Sequence, residues 1–283
     1  MLLIRASELS HMSFSIFKSK IRQLLMNYHK MLDCPQLFNE RDFIKRTTSF
    51  FRNRSVSHRR QSLTTQSAYI DRSPIVEFYH NTPWPNPDRR EIGDILFVSK
   101  FKKGNRIVKR RAVIVQSKFT RMRQRSWEDI DTAQFYFVLK WPNFTIVSPK
   151  PKKAYTLSPS CLTWGTYAFV GPNAVNCPLY FTSTRMFRVR PSVLSQKTFN
   201  FTIRKPLGWD TSQSFLIKQI TCLIGEDLLT NNSVRSFVDD LYKIACLKPD
   251  PVGEFDWNST KREKEKGFGI VEFALSVPEI TYS

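Results

Sequence analysis

Glycine-rich phosphate loops are missing from this chain of 283 residues. It holds neither GxGxxG nor GxxxxGK[ST], which excludes a dinucleotide fingerprint and a P-loop. The five cysteines (Cys34, Cys161, Cys177, Cys222 and Cys246) are scattered and form no CxxC pair, so a zinc ribbon and a redox dithiol are excluded too. The four histidines show no HExxH or HxH spacing. No apolar run reaches the length of a membrane span and none opens the chain, so neither a membrane helix nor a signal peptide is expected. The expectation is a soluble, reduced, cytoplasmic protein. Internal repeats are also absent. Acidic side chains are the last scarcity: 24 Asp and Glu stand against 44 Lys and Arg, for a net charge of +20 and a pI near 10.0. Such a surplus draws in polyanions at long range, most simply nucleic acid.

What is present begins, after a patternless stretch 1–12 in which Met12 is a second candidate start, with an amphipathic helix. Phe14, Phe17, Ile21, Leu24, Leu25, Tyr28, Met31 and Leu32 recur at helical spacing with Lys18, Lys20, Arg22 and Lys30 between them. A second helix is expected from ERDFIKRTTSFFRN, capped by Asn39 and favoured by Glu40 in its first turn. The basic run 52–67 reads as an exposed loop or a phosphate-contacting arm. Ile75–Tyr79 reads as a short strand and the proline-rich NTPWPNPDRR as a loop. Downstream, Gln134–Leu139 is a helix broken at Trp141-Pro142, and Phe144–Val147 a strand. Residues 149–160 form a Pro/Lys/Ser loop, with strand-like runs at Tyr167–Val170, Leu179–Thr182 and Met186–Val189. Helices are expected over Ser212–Leu228 and Val234–Leu247, then a mobile loop, then a last strand at about 268–275.

The most informative stretch lies between, from Glu91 to Phe119. Two apolar runs flank a KKGN turn, so it reads as a β-hairpin turning at Gly104 and Asn105. The start of the first strand then faces the end of the second. Asp94 falls within two or three residues, at about 3.3 Å each, of Gln116 and Lys118. By strand alternation Gln116 and Lys118 share a face, and Ser117 is expected to point away. A carboxylate, an amide and an ammonium at one end of an apolar hairpin suit a divalent metal ion and a phosphate. After the hairpin, Arg121, Arg123 and Arg125 beside Trp127 have the basic–aromatic interleaving that holds a nucleic-acid backbone.

The order Glu40 on a helix, then GD94ILFV, then VIVQ116SK118 resembles the PD-(D/E)XK nuclease superfamily. QFYFVLKWPNF is similar to a segment that follows QxK in bacterial members, some of them resembling phage-defence nucleases. The resemblance covers about residues 39–147. It departs from the common motif in Gln116, where Glu is usual, and in the lack of a Pro before Asp94; Glu91 is a candidate extra acidic ligand.

The resemblance implies an α+β fold: a restriction-endonuclease-like core with a central mixed sheet flanked by helices and C-terminal additions. The implied division is an N-terminal segment 1–38, a nuclease-like core 39–150 and a C-terminal elaboration 151–283. It also implies Mg²⁺ or Mn²⁺ held by Asp94, Gln116, the Ser117 backbone carbonyl and Glu40, with Lys118 orienting the attacking water. Arg110, Arg111, Arg121, Arg123 and Arg125 are the expected backbone contacts, with DNA favoured over RNA as substrate. A regulatory protein partner or a homodimer is expected, and no membrane partner. The competing readings are a non-catalytic nucleic-acid-binding module and a subunit of a larger complex.

Overall fold

The central hairpin forms in register: in the computed structural model, Ile95–Lys103 pairs antiparallel with Arg106–Phe119, matching Ile95 to Val115 and Lys103 to Arg106. Gly104 sits at φ +56° in the turn, a left-handed conformation that a Cβ would strain. The structure describes residues 15–32, 39–70, 73–80, 86–119, 126–149, 152–170, 179–183, 196–202, 210–245 and 267–279.

In chain order the helices are α1 (Ser15–Leu32), α2 (Glu40–Phe51), α3 (Thr132–Lys140), α4 (Ser212–Ile220) and α5 (Asn232–Ile244). The strands are β1 (Arg54–His58), β2 (Gln61–Ile70), β3 (Ile75–Phe78), β4 (Asp88–Glu91), β5 (Ile95–Lys103), β6 (Arg106–Phe119), β7 (Ser126–Asp131) and β8 (Phe144–Ser148). They continue as β9 (Lys153–Tyr155), β10 (Gly165–Val170), β11 (Leu179–Ser183), β12 (Thr198–Thr202), β13 (Asp210–Thr211), β14 (Glu226–Asp227) and β15 (Phe268–Val277).

The large mixed sheet runs β1-β2-β15-β5-β6-β10-β11-β13, with β14 on the turn-proximal part of β6. Its central strands are apolar on both faces because both are covered. Ile95, Phe97, Val113, Val115, Val271 and Phe273 pack under α1, α2 and α4. Leu96, Val98, Ala112, Ile114, Tyr167 and Ile270 pack under α3, α5 and the smaller sheet β4-β3-β8-β9. The result is an α+β fold with a mixed sheet between two covering layers.

Both expected N-terminal helices form, and Asn39 caps α2 by accepting from the Asp42 N–H at 2.8 Å. The helix at 132–140 ends at Trp141 with φ +49°, just before Pro142.

Four expectations are corrected. Residues 54–70 form the β1–β2 hairpin in place of an exposed loop. Its strands are polar because β1 is a sheet edge, and little more than Leu63, Thr65 and Ala68 need burial. Strands also form at Asp88–Glu91 and Lys153–Tyr155, where loops were expected; each pairs in the smaller sheet. The α4 helix stops at Ile220, eight residues early. Cys222 turns to φ +53°, and Glu226–Asp227 leaves to pair with β6.

Strands from both sides of the boundary at residue 150 share the large sheet. β15 lies between β2 and β5, and β10 lies directly beside β6, so the sheet is completed by strands from beyond that boundary. The strand-like run 186–189 and residues 248–266 of the expected loop lie outside the described residues.

Candidate functional site at the open end of the central hairpin

Asp94 is held by its backbone before its side chain does anything. Its N–H donates to Val115 O at 2.8 Å, and its carbonyl accepts from the Gly269 N–H at 2.8 Å, so the residue is clamped between β6 and β15. The preceding residue must be glycine: Gly93 has φ +154°, and a Cβ there would lie 2.6 Å from Ile114 Cγ2.

The Asp94 side chain is fully buried. Its Oδ2 accepts from Gln116 Nε2 at 2.7 Å, from the Ser117 N–H at 2.5 Å and from Ser117 Oγ at 2.6 Å. The expectation that Ser117 points away is therefore corrected. Asp94 stands just outside the pleat of β5, and its carboxylate meets the in-plane N–H of residue 117. From that position side chains on either face of β6 reach it, so alternation excludes neither Gln116 nor Ser117.

Gln116 is also fully buried, and its amide has a fixed sense. Gln134, in the first turn of α3, donates through Nε2 to Gln116 Oε1 at 2.5 Å and to the Glu91 carbonyl at 3.0 Å. Gln116 then has its nitrogen turned to Asp94, and this nitrogen lies 3.4 Å from the Ser117 carbonyl as well. Gln134 is itself placed by the α3 cap, where Asp131 Oδ1 accepts from the Gln134 N–H at 2.7 Å. What Glu91 brings to this network is its backbone oxygen.

Lys118 and Glu40 complete the cluster. Lys118 Nζ lies 3.6 Å from Glu40 Oε1, an ion pair joining the end of β6 to the first turn of α2, with both side chains mostly buried. Beside them, Tyr167 on β10 pairs in register with Gln116. Burial pushes the Tyr167 hydroxyl well above its ordinary pKa, and the negative charges of Asp131, Asp94 and Glu40 push the same way. It stays a protonated group facing an acidic site.

Asp94, Gln116, Ser117, Lys118 and Glu40 are thus brought together. Arg110 and Arg111 are not. They lie seven and eight residues before Lys118 on an extended strand, about 20–25 Å away. Each is tied down there: Arg110 pairs with Asp239 at 2.9 Å, while Arg111 donates to the Gly225 carbonyl at 2.8 Å and lies 3.9 Å from Asp227. Arg121, Arg123 and Arg125 lie outside the described residues.

Sequence reading missed Gln134 and Tyr167 as parts of the site. Gln134 stood in the QFYFVLK segment after the QSK motif, and a helix delivers it back to Gln116. Tyr167 carried no local signal, because only the parallel β6–β10 pairing puts it there.

For a hard divalent ion the donor set fits in kind: the Asp94 and Glu40 carboxylates and the Ser117 carbonyl are oxygens of the type Mg²⁺ and Mn²⁺ take. Gln116 would join them only with its amide turned over, away from Gln134. Among the described residues no group of three His, Cys, Asp or Glu side chains forms a metal cluster, so a backbone or amide oxygen would have to complete any shell. Comparison with protein-family models, with curated proteins and with solved structures finds no match. No helix among the described residues is long and apolar enough to cross a membrane.

Proposed function

We propose that the chain is a metal-dependent nuclease of the PD-(D/E)XK type that hydrolyses phosphodiester bonds, with DNA favoured as substrate. The observation that carries this reading is the convergence of Asp94 at the start of β5 with Gln116, Ser117 and Lys118 at the end of β6, joined by Glu40 from the preceding helix. The parallel β6–α3–β10 arrangement and the +20 net charge support it further.

In this reading Asp94, Glu40 and the Ser117 carbonyl would hold Mg²⁺ or Mn²⁺. A bound ion of this kind lowers the pKa of water and offsets charge on a phosphoryl oxygen. Lys118, released from Glu40, places its ammonium against the attacking water and the developing negative charge. Tyr167 keeps its proton and so can donate a hydrogen bond to a phosphate oxygen. A cytoplasmic location, a role in phage defence and control by a regulatory partner or a second copy belong to the same proposal.

A second reading, a nucleic-acid-binding module without catalysis, is favoured by one observation. Asp94 Oδ2 already accepts three protein hydrogen bonds, and Gln116 turns its nitrogen to it.

The test incubates the protein with plasmid DNA and with single-stranded RNA in Mg²⁺, Mn²⁺ or EDTA, beside Lys118→Met and Asp94→Asn. Lys118→Met is the cleaner variant, since Asp94 also holds local structure. Metal-dependent cutting abolished in both variants is the expected result. Undiminished single-turnover cutting by Lys118→Met refutes the assignment, and binding without cutting under all conditions moves the conclusion to the second reading.

A further inference from the structure

Glu40 and Arg41 are consecutive on α2 but point to different tasks. Glu40 meets Lys118, whereas Arg41 Nε donates to Tyr69 Oη at 3.1 Å. One turn on, Lys45 Nζ lies over the Tyr69 ring, 5.4 Å from its centroid. All three side chains are half-buried. Gly267 lies close against the hydroxyl end of the ring, where an added Cβ would come within 2.1 Å of the Tyr69 hydroxyl and 2.3 Å of two ring carbons.

Tyr69 pairs with Gly269 of β15, and Gly269 pairs with Ile95 and donates to the Asp94 carbonyl. The Tyr69 backbone therefore stands two strand spacings, about 10 Å, from the start of β5 next to Asp94, and the basic pair gathers on its side chain.

From this geometry we infer that Arg41 and Lys45, oriented by Tyr69, form a phosphate clamp for a nucleic-acid strand entering the candidate site. The inference rests on the proposed nucleic-acid reading and adds a binding subsite to it. Three features argue for phosphate. The bond from Nε to Tyr69 sets the plane of the Arg41 guanidinium, and a planar guanidinium matches phosphate oxygens. Lys45 contributes a second charge on the same side. Tyr69 serves as the support of the two cations, hydrogen-bond acceptor for one and ring beneath the other, and Gly267 crowds its hydroxyl end. The clamp lies on the α2 side of the hairpin end, remote from Arg110 and Arg111.

The experiment measures binding of fluorescein-labelled single-stranded and duplex DNA in EDTA, so that cutting plays no part. The variants are Arg41→Gln/Lys45→Gln, Tyr69→Phe, and the charge-matched control Lys18→Gln/Lys30→Gln on the exposed face of α1. The Arg41/Lys45 pair is expected to weaken binding at least tenfold and to reduce the slope of log K against log salt by about 1.4–1.8, the value for two phosphate contacts. Tyr69→Phe keeps the ring and is expected to weaken binding about threefold, the control less than twofold. Equal weakening by the Arg41/Lys45 pair and the control, or an unchanged salt slope, overturns the clamp. If cutting persists while the clamp variants bind normally, the clamp alone fails. If they bind as expected and no metal supports cutting, the nuclease reading alone fails.

Discussion

Replacing Gln134 with Leu tests the central argument about the site, that a helix residue fixes the sense of the Gln116 amide and through it the setting of Asp94. The substitution removes one donor that serves two acceptors. Gln116 Oε1 sits in a fully buried side chain, so no water replaces the lost bond, and an orphaned buried acceptor costs about 1–3 kcal/mol. Rotating the amide does not relieve this, because it would turn the oxygen onto the Asp94 carboxylate. The Glu91 carbonyl belongs to a partly exposed residue and loses less, about 0.5–1 kcal/mol. The expected destabilisation is about 1.5–4 kcal/mol, or about 3–8 °C in melting temperature for a chain of this size.

Urea unfolding of Gln134→Leu, Gln116→Leu and the double variant completes a cycle with an expected coupling of about 1–2 kcal/mol. The Gln134→Glu variant adds a control with a sign. An ionised Glu cannot donate, and a buried one beside Asp94 has its pKa raised, so this variant is expected to gain stability as pH falls and its carboxyl protonates. A Gln134→Leu protein within about 0.5 kcal/mol of the parent, with no coupling to Gln116, refutes the reasoning.

Three further outcomes are expected. Burial raises the Asp240 carboxyl, but hydrogen bonds from Lys153, Lys243 and Tyr155 outweigh it and hold the pKa below its ordinary value. Its contribution is then complete above about pH 4 and lost as pH falls through the lower folded value, so Asp240→Asn should cost stability at pH 7 and less at pH 3. Equal costs at both pH values in urea melts would contradict this. Cys222 is buried, and its thiol is pushed up to about 12 by desolvation, so iodoacetamide at pH 8 should label it only in denaturant, read by peptide mass spectrometry. Gly165→Ala should destabilise by about 1–3 kcal/mol, because the new Cβ would lie 2.3 Å from Val138 O and push β10 away from α3. Unchanged urea midpoints would show that α3 shifts at no cost.

Much of the fold is written locally. The apolar runs on either side of Gly104 specify the hairpin, because a doubly covered pair of strands must be apolar on both faces. Asn39 before Glu40 specifies where α2 begins, and Trp141-Pro142 where α3 ends. These local signals also place Asp94 opposite Gln116 and Lys118, since an antiparallel register leaves no other arrangement of their ends. Local pattern therefore carries the hairpin and the grouping of Asp94, Gln116 and Lys118 at its open end, and the α+β class is what the resemblance of those residues implied.

Tertiary structure decided everything that depends on which strands become neighbours. β15 enters between β2 and β5, so Gly269 clamps Asp94 on one side and pairs with Tyr69 on the other. β10 joins β6 in parallel and brings Tyr167 beside Gln116. The polar residues of β1 occupy a sheet edge, where a hydrophilic strand carries no apolar alternation to reveal it. Arg110 and Arg111, only seven or eight residues before Lys118, sit near the middle of an extended 14-residue strand, well away from its end and bound to other carboxylates and carbonyls. Sequence spacing reports distance along one strand faithfully. Contacts between strands far apart in the chain come from the burial of a shared core, and no local pattern encodes them.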